Sequence, residues 1–154
     1  MYENLGIDLS VLPHLQAHDA AGIDCLVVRR PKRSKGSAPD AELVDVQTCD
    51  QRTNLAQALI LRLLTPLGSL TELGHAGYGS RLHELIGRPK NNSTRNLCRL
   101  FVLQTLAQEP RVEPRAVSFA FDPVAEQIDN FVFTCEVQPV SGGDSLAISL
   151  EVAL

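Results

Sequence analysis

No apolar run in this sequence is long enough to cross a membrane. The longest aliphatic stretch, Ala58-Leu59-Ile60-Leu61, stops at Arg62, far short of the roughly 20 residues a helical span needs. No basic region followed by an apolar stretch stands after Met1-Tyr2-Glu3-Asn4, so a secretory leader is not expected and synthesis in the cytosol is. Cys25, Cys49, Cys98 and Cys135 contain no Cys-x-x-Cys pair, which removes the usual zinc and thioredoxin-like patterns. A chain of 154 residues can bury about two thirds of its unfolded surface without disulfide staples. The cysteines are therefore expected as four small buried hydrophobes. Lys and Arg are absent after Arg115, while Asp122, Glu126, Asp129, Glu136, Asp144 and Glu151 remain. The last quarter of the chain is an acidic surface.

Five of the fourteen basic residues, Arg29, Arg30, Lys32, Arg33 and Lys35, fall within seven positions. Pro31, Ser34, Gly36, Ser37 and Pro39 punctuate them, so the run reads as a loop. It suits an anionic partner, either an acidic protein surface or nucleic acid. No aromatic residue is interleaved for base stacking, so nucleic acid is not the expected partner.

Hydrophobic residues make up 44% and charged residues 21% of the chain, ordinary globular usage, and the length predicts one domain over 1–154. Leu5 to Leu15, broken by Gly6 and Pro13, reads as an irregular lead-in. Residues 22–29 and 41–46 read as two strands facing each other across the basic loop. Asp50 to Asn54 offers helix N-caps, and Leu55, Ala58, Leu59 and Leu63 follow at helical spacing. Pro66 should stop that helix at Leu64-Thr65. Residues 70–78 carry too many glycines for a stable element.

A short helix should place Leu82, Leu85 and Ile86 on one face, with Gly87 as its left-handed cap. A third should open at Asn92-Ser93-Thr94, turn Leu97, Leu100, Phe101, Leu103, Leu106 and Ala107 inward, and end before Pro110. Val117, Phe119 and Phe121 then alternate with small residues, as do Phe131, Phe133, Cys135 and Val137. Ser141-Gly142-Gly143-Asp144 is a hairpin turn by composition, and Leu146, Ile148, Leu150, Val152 and Leu154 alternate beyond it. The fold class is α+β, with helices packed on one face of a small antiparallel sheet and an N-terminal hairpin-like segment.

Catalytic patterns are sparse. His14, His18 and Asp19 have ligand-like spacing, but Pro13 weakens any helix there, and no metal or cofactor is expected. His75 and the His83-Glu84 pair read as surface residues rather than general bases. Gly74, Gly77 and Gly79 lack the Lys-Ser/Thr that closes a phosphate loop, and there is no Gly-x-Ser-x-Gly. No carboxylate lies in an apolar run of the kind that raises a pKa for acid catalysis. No catalytic residue is assigned, and the chain is expected not to be an enzyme.

Two features are more distinctive. One runs from Arg52-Thr53-Asn54-Leu55 to Arg62-Leu63-Leu64-Thr65-Pro66-Leu67-Gly68 and on to Gly77-Tyr78-Gly79-Ser80-Arg81-Leu82. The other is Glu109-Pro110-Arg111, between a long helix and the sheet. Together they resemble the small baseplate wedge family of contractile tails, shared by contractile phages, type VI secretion baseplates and extracellular contractile injection systems. Some members carry an old lysozyme-like label. The resemblance covers residues 44–154.

It implies a structural part that joins the core bundle of the large wedge subunits to the first sheath ring. Implied partners are those wedge subunits and the sheath subunits, with hub, spike or tube proteins as further candidates. No membrane partner is implied. Six copies would follow from the family's sixfold baseplates, built in the bacterial cytoplasm and then carried in the particle.

Carried over by position, the contact to the wedge bundle falls on Glu109, Pro110 and Arg111. The alternative is an internal Glu109–Arg111 ion pair locking the helix-to-strand corner, and both roles are compatible. A second triplet, Glu113-Pro114-Arg115, leaves the choice of contact open. The strictly alternating last strand is either an edge that accepts a sheath strand or one paired within its own sheet. The other activity associated with the family label is peptidoglycan hydrolysis, which needs two carboxyls held across a cleft. No such pair stands out.

Overall fold

The computed structural model describes residues 5–11, 27–31 and 42–154. Strands β1 (Ile7–Leu9), β2 (Val27–Pro31), β3 (Glu42–Val46) and β4 (Thr48–Asp50) precede helix α1 (Gln51–Leu64). Helix α2 (Asn92–Ala107) and strands β5 (Ser118–Phe121), β6 (Asn130–Val137) and β7 (Leu146–Ala153) follow. The described strands pair antiparallel: β1 with β4, β2 with β3, and a three-stranded sheet ordered β5-β6-β7. The class is α+β, as the pattern of the sequence predicts.

The alternation in the last third sets the sheet's register. Phe119 faces Cys135 and Phe121 faces Phe133 across β5 and β6. Phe133 then faces Leu150, and Cys135 faces Ile148, across β6 and β7. Phe131, Phe133, Cys135 and Val137 on the central strand are completely covered. Phe119 stacks on Phe133 with ring centroids 5.1 Å apart. Leu55, Leu59 and Leu63 of α1 and Phe101, Val102 and Leu106 of α2 close the same core. Cys49, Cys98 and Cys135 are buried; burial pushes the Cys98 thiol up to about 12 and the Cys135 thiol to about 11, so neither is a ready nucleophile. Cys25 lies outside the described residues.

Several local expectations change. The lead-in contains strand β1, bonded to a strand β4 that the sequence did not suggest. Helix α1 starts without a side-chain cap; Gln51, at φ +50°, donates its N–H to the Gly6 carbonyl at 3.2 Å instead. Its end agrees with prediction, since Thr65 before Pro66 is extended. Residues 71–73 form a single 3₁₀ turn. Leu82–Leu85 is likewise 3₁₀, not α, so Leu82 and Leu85 are buried while Ile86 points outward at 66% exposure. One tight turn has no face wide enough for all three. On α2 the buried stripe is Thr94, Cys98, Phe101, Val102, Thr105 and Leu106. Leu100 and Ala107 therefore face outward. Asn91 caps that helix by accepting from the Thr94 N–H at 2.9 Å.

Candidate functional site

The two distinctive stretches of sequence meet in space. At the end of α2, Glu109 donates its N–H to the Leu106 carbonyl and Val112 donates to Glu109, so the chain turns through Pro110. Glu113 N–H to the Gln138 carbonyl and Val140 N–H to the Arg111 carbonyl bolt this corner to the exit of β6. The Glu109 side chain, 5% exposed, points inward. Its Oε1 accepts from Arg111 Nε at 2.6 Å, and its Oε2 lies 3.5 Å from Arg62 Nη2 of α1. The first contact is a short charge-assisted bond; the second is long and mainly coulombic.

Arg62 also lies over the Tyr78 ring, 4.7 Å from its centroid, a cation–π contact. Burial pushes the Tyr78 hydroxyl above its ordinary value, with Arg62 opposing that rise. Arg111 Nη1 donates to the Leu5 carbonyl at 3.0 Å, and Asn54 Nδ2 of α1 donates to the same oxygen at 2.8 Å. Gln57 holds the neighbouring strand by bonding Leu9 and Val11. One carboxylate thus serves two guanidiniums, and four separate parts of the chain share the cluster. The internal ion pair is present. Arg62 and Tyr78 stand within the first distinctive stretch, but no local pattern gives either a role, because their meeting with Glu109 is tertiary.

The loop from Pro66 to Ser80 returns to the helix it leaves. Ser80 N–H donates to the Thr65 carbonyl, Leu67 N–H to the Ser80 carbonyl, and Ser80 Oγ to the Leu63 carbonyl at 2.5 Å. These bonds carry Tyr78 to Arg62. The second triplet is arranged differently: Glu113 is half-buried, Pro114 opens a 3₁₀ turn, and Arg115 is exposed. Among the described residues neither Glu113 nor Arg115 makes an ion pair.

Among the described residues strand β7 pairs with β6 alone, which leaves its other side an edge. Beside it lies a groove of about 200 Å³, lined by Leu63, Leu64, Pro66, Ser80, Leu82, His83, Ile86 and residues 151–153. His75 and His83 are exposed; His14, His18 and Asp19 lie outside the described residues. No group of His, Cys, Asp and Glu among the described residues could hold a metal. None of the described helices is long and apolar enough to cross a membrane. Of the basic run, Arg29 and Arg30 belong to β2, and Lys32, Arg33 and Lys35 lie outside the described residues.

A second ion cluster had no signal in the sequence, because its carboxylate, Glu126, lies 31 and 36 positions from its two cations, Arg95 and Lys90. Glu126, whose side chain is 4% exposed, takes Arg95 bidentately at 2.6 and 2.7 Å and Lys90 at 3.1 Å. Arg95 lies over Phe121 and Phe131 at 4.6 and 4.7 Å. The Arg95 bonds hold the Glu126 carboxyl below its ordinary range. A folded value below the unfolded one adds stability above the unfolded value, lost as pH falls through the folded one. Glu126→Gln is therefore expected to flatten the acid limb of a stability–pH curve below about pH 4.5. Parallel acid limbs in urea titrations of the two proteins would refute this.

No protein-family model matches the chain, and no curated protein matches it. Among solved structures, the fold is similar to a crystal structure from Geobacter sulfurreducens named "putative tail lysozyme". The TM-score is 0.56 at 19% identity, covering 66% of this chain and 89% of that one. The likeness is one of fold.

Proposed function

We propose that the chain is a structural component of the baseplate of a contractile tail or injection system. It joins the wedge core bundle to the first sheath ring and turns over no substrate. The observation that carries this reading is the Arg62–Tyr78–Glu109–Arg111 cluster. It ties the residues that carry the family resemblance into one braced corner whose outermost charge is Arg111. That side chain is 27% exposed, and its Nη2 makes no bond among the described residues. A planar guanidinium already fixed through Nε and Nη1 suits a carboxylate on a partner. In this reading Glu109 orients Arg111, and exposed Pro110 shapes the contact surface. The tail protein with a similar fold supports the assignment.

The arrangement of carboxylates favours assembly over glycoside hydrolysis. A hydrolase acid needs a raised pKa facing a second carboxyl across a cleft. Among the described residues the two most enclosed acids, Glu109 and Glu126, are each engaged by two cations, and Glu126 is held low. The edge of β7 and its groove offer a place for a sheath strand to add.

Arg111→Ala is expected to yield a folded protein, with circular dichroism like wild type, that fails to enter particles purified from producing cells. Arg111→Lys, which keeps the charge and loses the fork, should recover only part of the incorporation. Normal incorporation of Arg111→Ala would contradict the contact. Clearing of a peptidoglycan suspension by the purified protein would instead establish the hydrolase reading, which the name of the similar structure suggests.

A further inference from the structure

Helix α1 and the corner after α2 set two guanidiniums against one carboxylate. Among the described residues, Glu109 is the one acid within ion-pair distance of Arg62 or Arg111, and it is almost fully enclosed. Its two contacts are unequal. Oε1 meets Arg111 Nε at 2.6 Å, while Oε2 stays 3.5 Å from Arg62 Nη2. Arg62 Nε is buried without a hydrogen-bond partner. Asp8 is the other carboxylate whose charge reaches Tyr78, and it acts there more weakly than Arg62, Glu109 or Arg111. It is exposed, and its Oδ1 accepts from the Leu9 N–H at 2.8 Å. The cluster therefore carries one positive charge in excess.

A brace does not need that excess. One guanidinium completes an ion pair with Glu109, and the second adds the cost of a buried, unsatisfied donor. Covering the Tyr78 ring does not need it either, since a methionine of similar length would fill the space without that cost. A buried donor left without a partner calls for an explanation in what the site does. The excess changes the state of Arg111. Were Glu109 to serve Arg111 alone, the pair would be neutral and would attract another anion weakly. With Arg62 beside it the corner stays cationic, and one further carboxylate brings it to balance.

We propose, resting on the reading of Arg111 as the partner contact, that Arg62 is a positioning residue acting on Arg111 through Glu109. It holds the corner one positive charge in excess, so that the corner receives a single Asp or Glu side chain from the partner. In the free chain Glu109 keeps Arg111 in place. When a partner's carboxylate takes the open Nη2 edge of Arg111, Glu109 closes its 3.5 Å separation from Arg62. Two guanidiniums and two carboxylates then pair without remainder. A planar anion with two oxygens suits the fork, whereas a neutral or basic surface would leave the excess charge covered and unpaired.

Arg62→Met and Arg62→Lys test this, because the two side chains are similar in length and differ in charge. Both variants are expected to match wild type in circular dichroism and to melt within about 5 °C of each other. Incorporation into particles purified from producing cells, measured by quantitative mass spectrometry, should separate them. Arg62→Lys should enter at about half the wild-type level or more, and Arg62→Met about tenfold less than wild type. Equal incorporation of the two, or an Arg62→Met chain that fails to fold, would overturn the inference and leave Arg62 as a brace. Normal entry of Arg62→Met beside exclusion of Arg111→Ala would sink the inference and leave the contact at Arg111 standing. Normal entry of Arg111→Ala would remove both.

Discussion

Glu109→Ala is expected to destabilise the protein by about 3–5 kcal/mol, the range for removing one partner of a buried ion pair. The loss arises less from the attraction removed than from what remains. Arg62, 15% exposed, and Arg111, 27% exposed, would be left facing each other without a counter-charge. Arg62 Nε is already buried without a hydrogen-bond partner, so that guanidinium has little capacity to absorb the change. Arg111 can swing toward water, which places the expectation near the lower end of the range. A fall in melting temperature of about 6–12 °C would follow for a chain of this size. Glu109→Gln keeps the shape and one acceptor and should cost less. Chemical denaturation of the two variants checks the ordering; equal stability of Glu109→Ala and wild type would show that the cluster braces nothing.

Gly79→Ala should be similarly severe for a different reason. Gly79 sits at φ +116°, where an L side chain is strained. A Cβ built there would lie 2.6 Å from the Thr65 carbonyl oxygen and 2.9 Å from that of Pro66. Both are backbone atoms at the end of α1 that cannot turn aside. Strain of about 1–3 kcal/mol from the backbone alone, with the collision added, predicts a loss of about 3 kcal/mol or more. The bonds from Ser80 to Thr65 and Leu63 should open, and Tyr78 should leave Arg62. Tyrosine fluorescence and the melting curve would report this. A variant as stable as wild type would mean that the loop does not need its return to the helix. Gly74, by contrast, has no atom within 4 Å of a built Cβ, although its positive φ still carries a backbone cost.

The sheet was legible because its period is two and its faces differ in polarity. Phe131, Phe133, Cys135 and Val137 can be read inward from alternation alone, and their partners on β7 follow from the Gly142-Gly143 turn. Helix α1 was legible at its end, where Pro66 dictates the geometry of Thr65, and misread at its start. There an N–H goes to the Gly6 carbonyl, which no local pattern announces. Helix α2 was located correctly, but Leu100 and Ala107 were turned the wrong way because the core stripe also takes Cys98 and Thr105. The two ion clusters show where a single sequence gives out. Glu109 and Arg111 are neighbours in the chain, so their pairing stands as one of the two roles the sequence allows. Arg62 reaches them across 47 positions, and Glu126 meets Arg95 across 31.

Joined to its fold, the corner describes a rigid part: helix end, sheet exit, returning loop and first strand meet on one carboxylate. The most direct measurement of the account's central claim is quantitative mass spectrometry of contractile particles purified from cells that make the chain. The account predicts the polypeptide as a stable constituent, in copies that are a multiple of six. Intact, contracting particles that lack it would contradict the account.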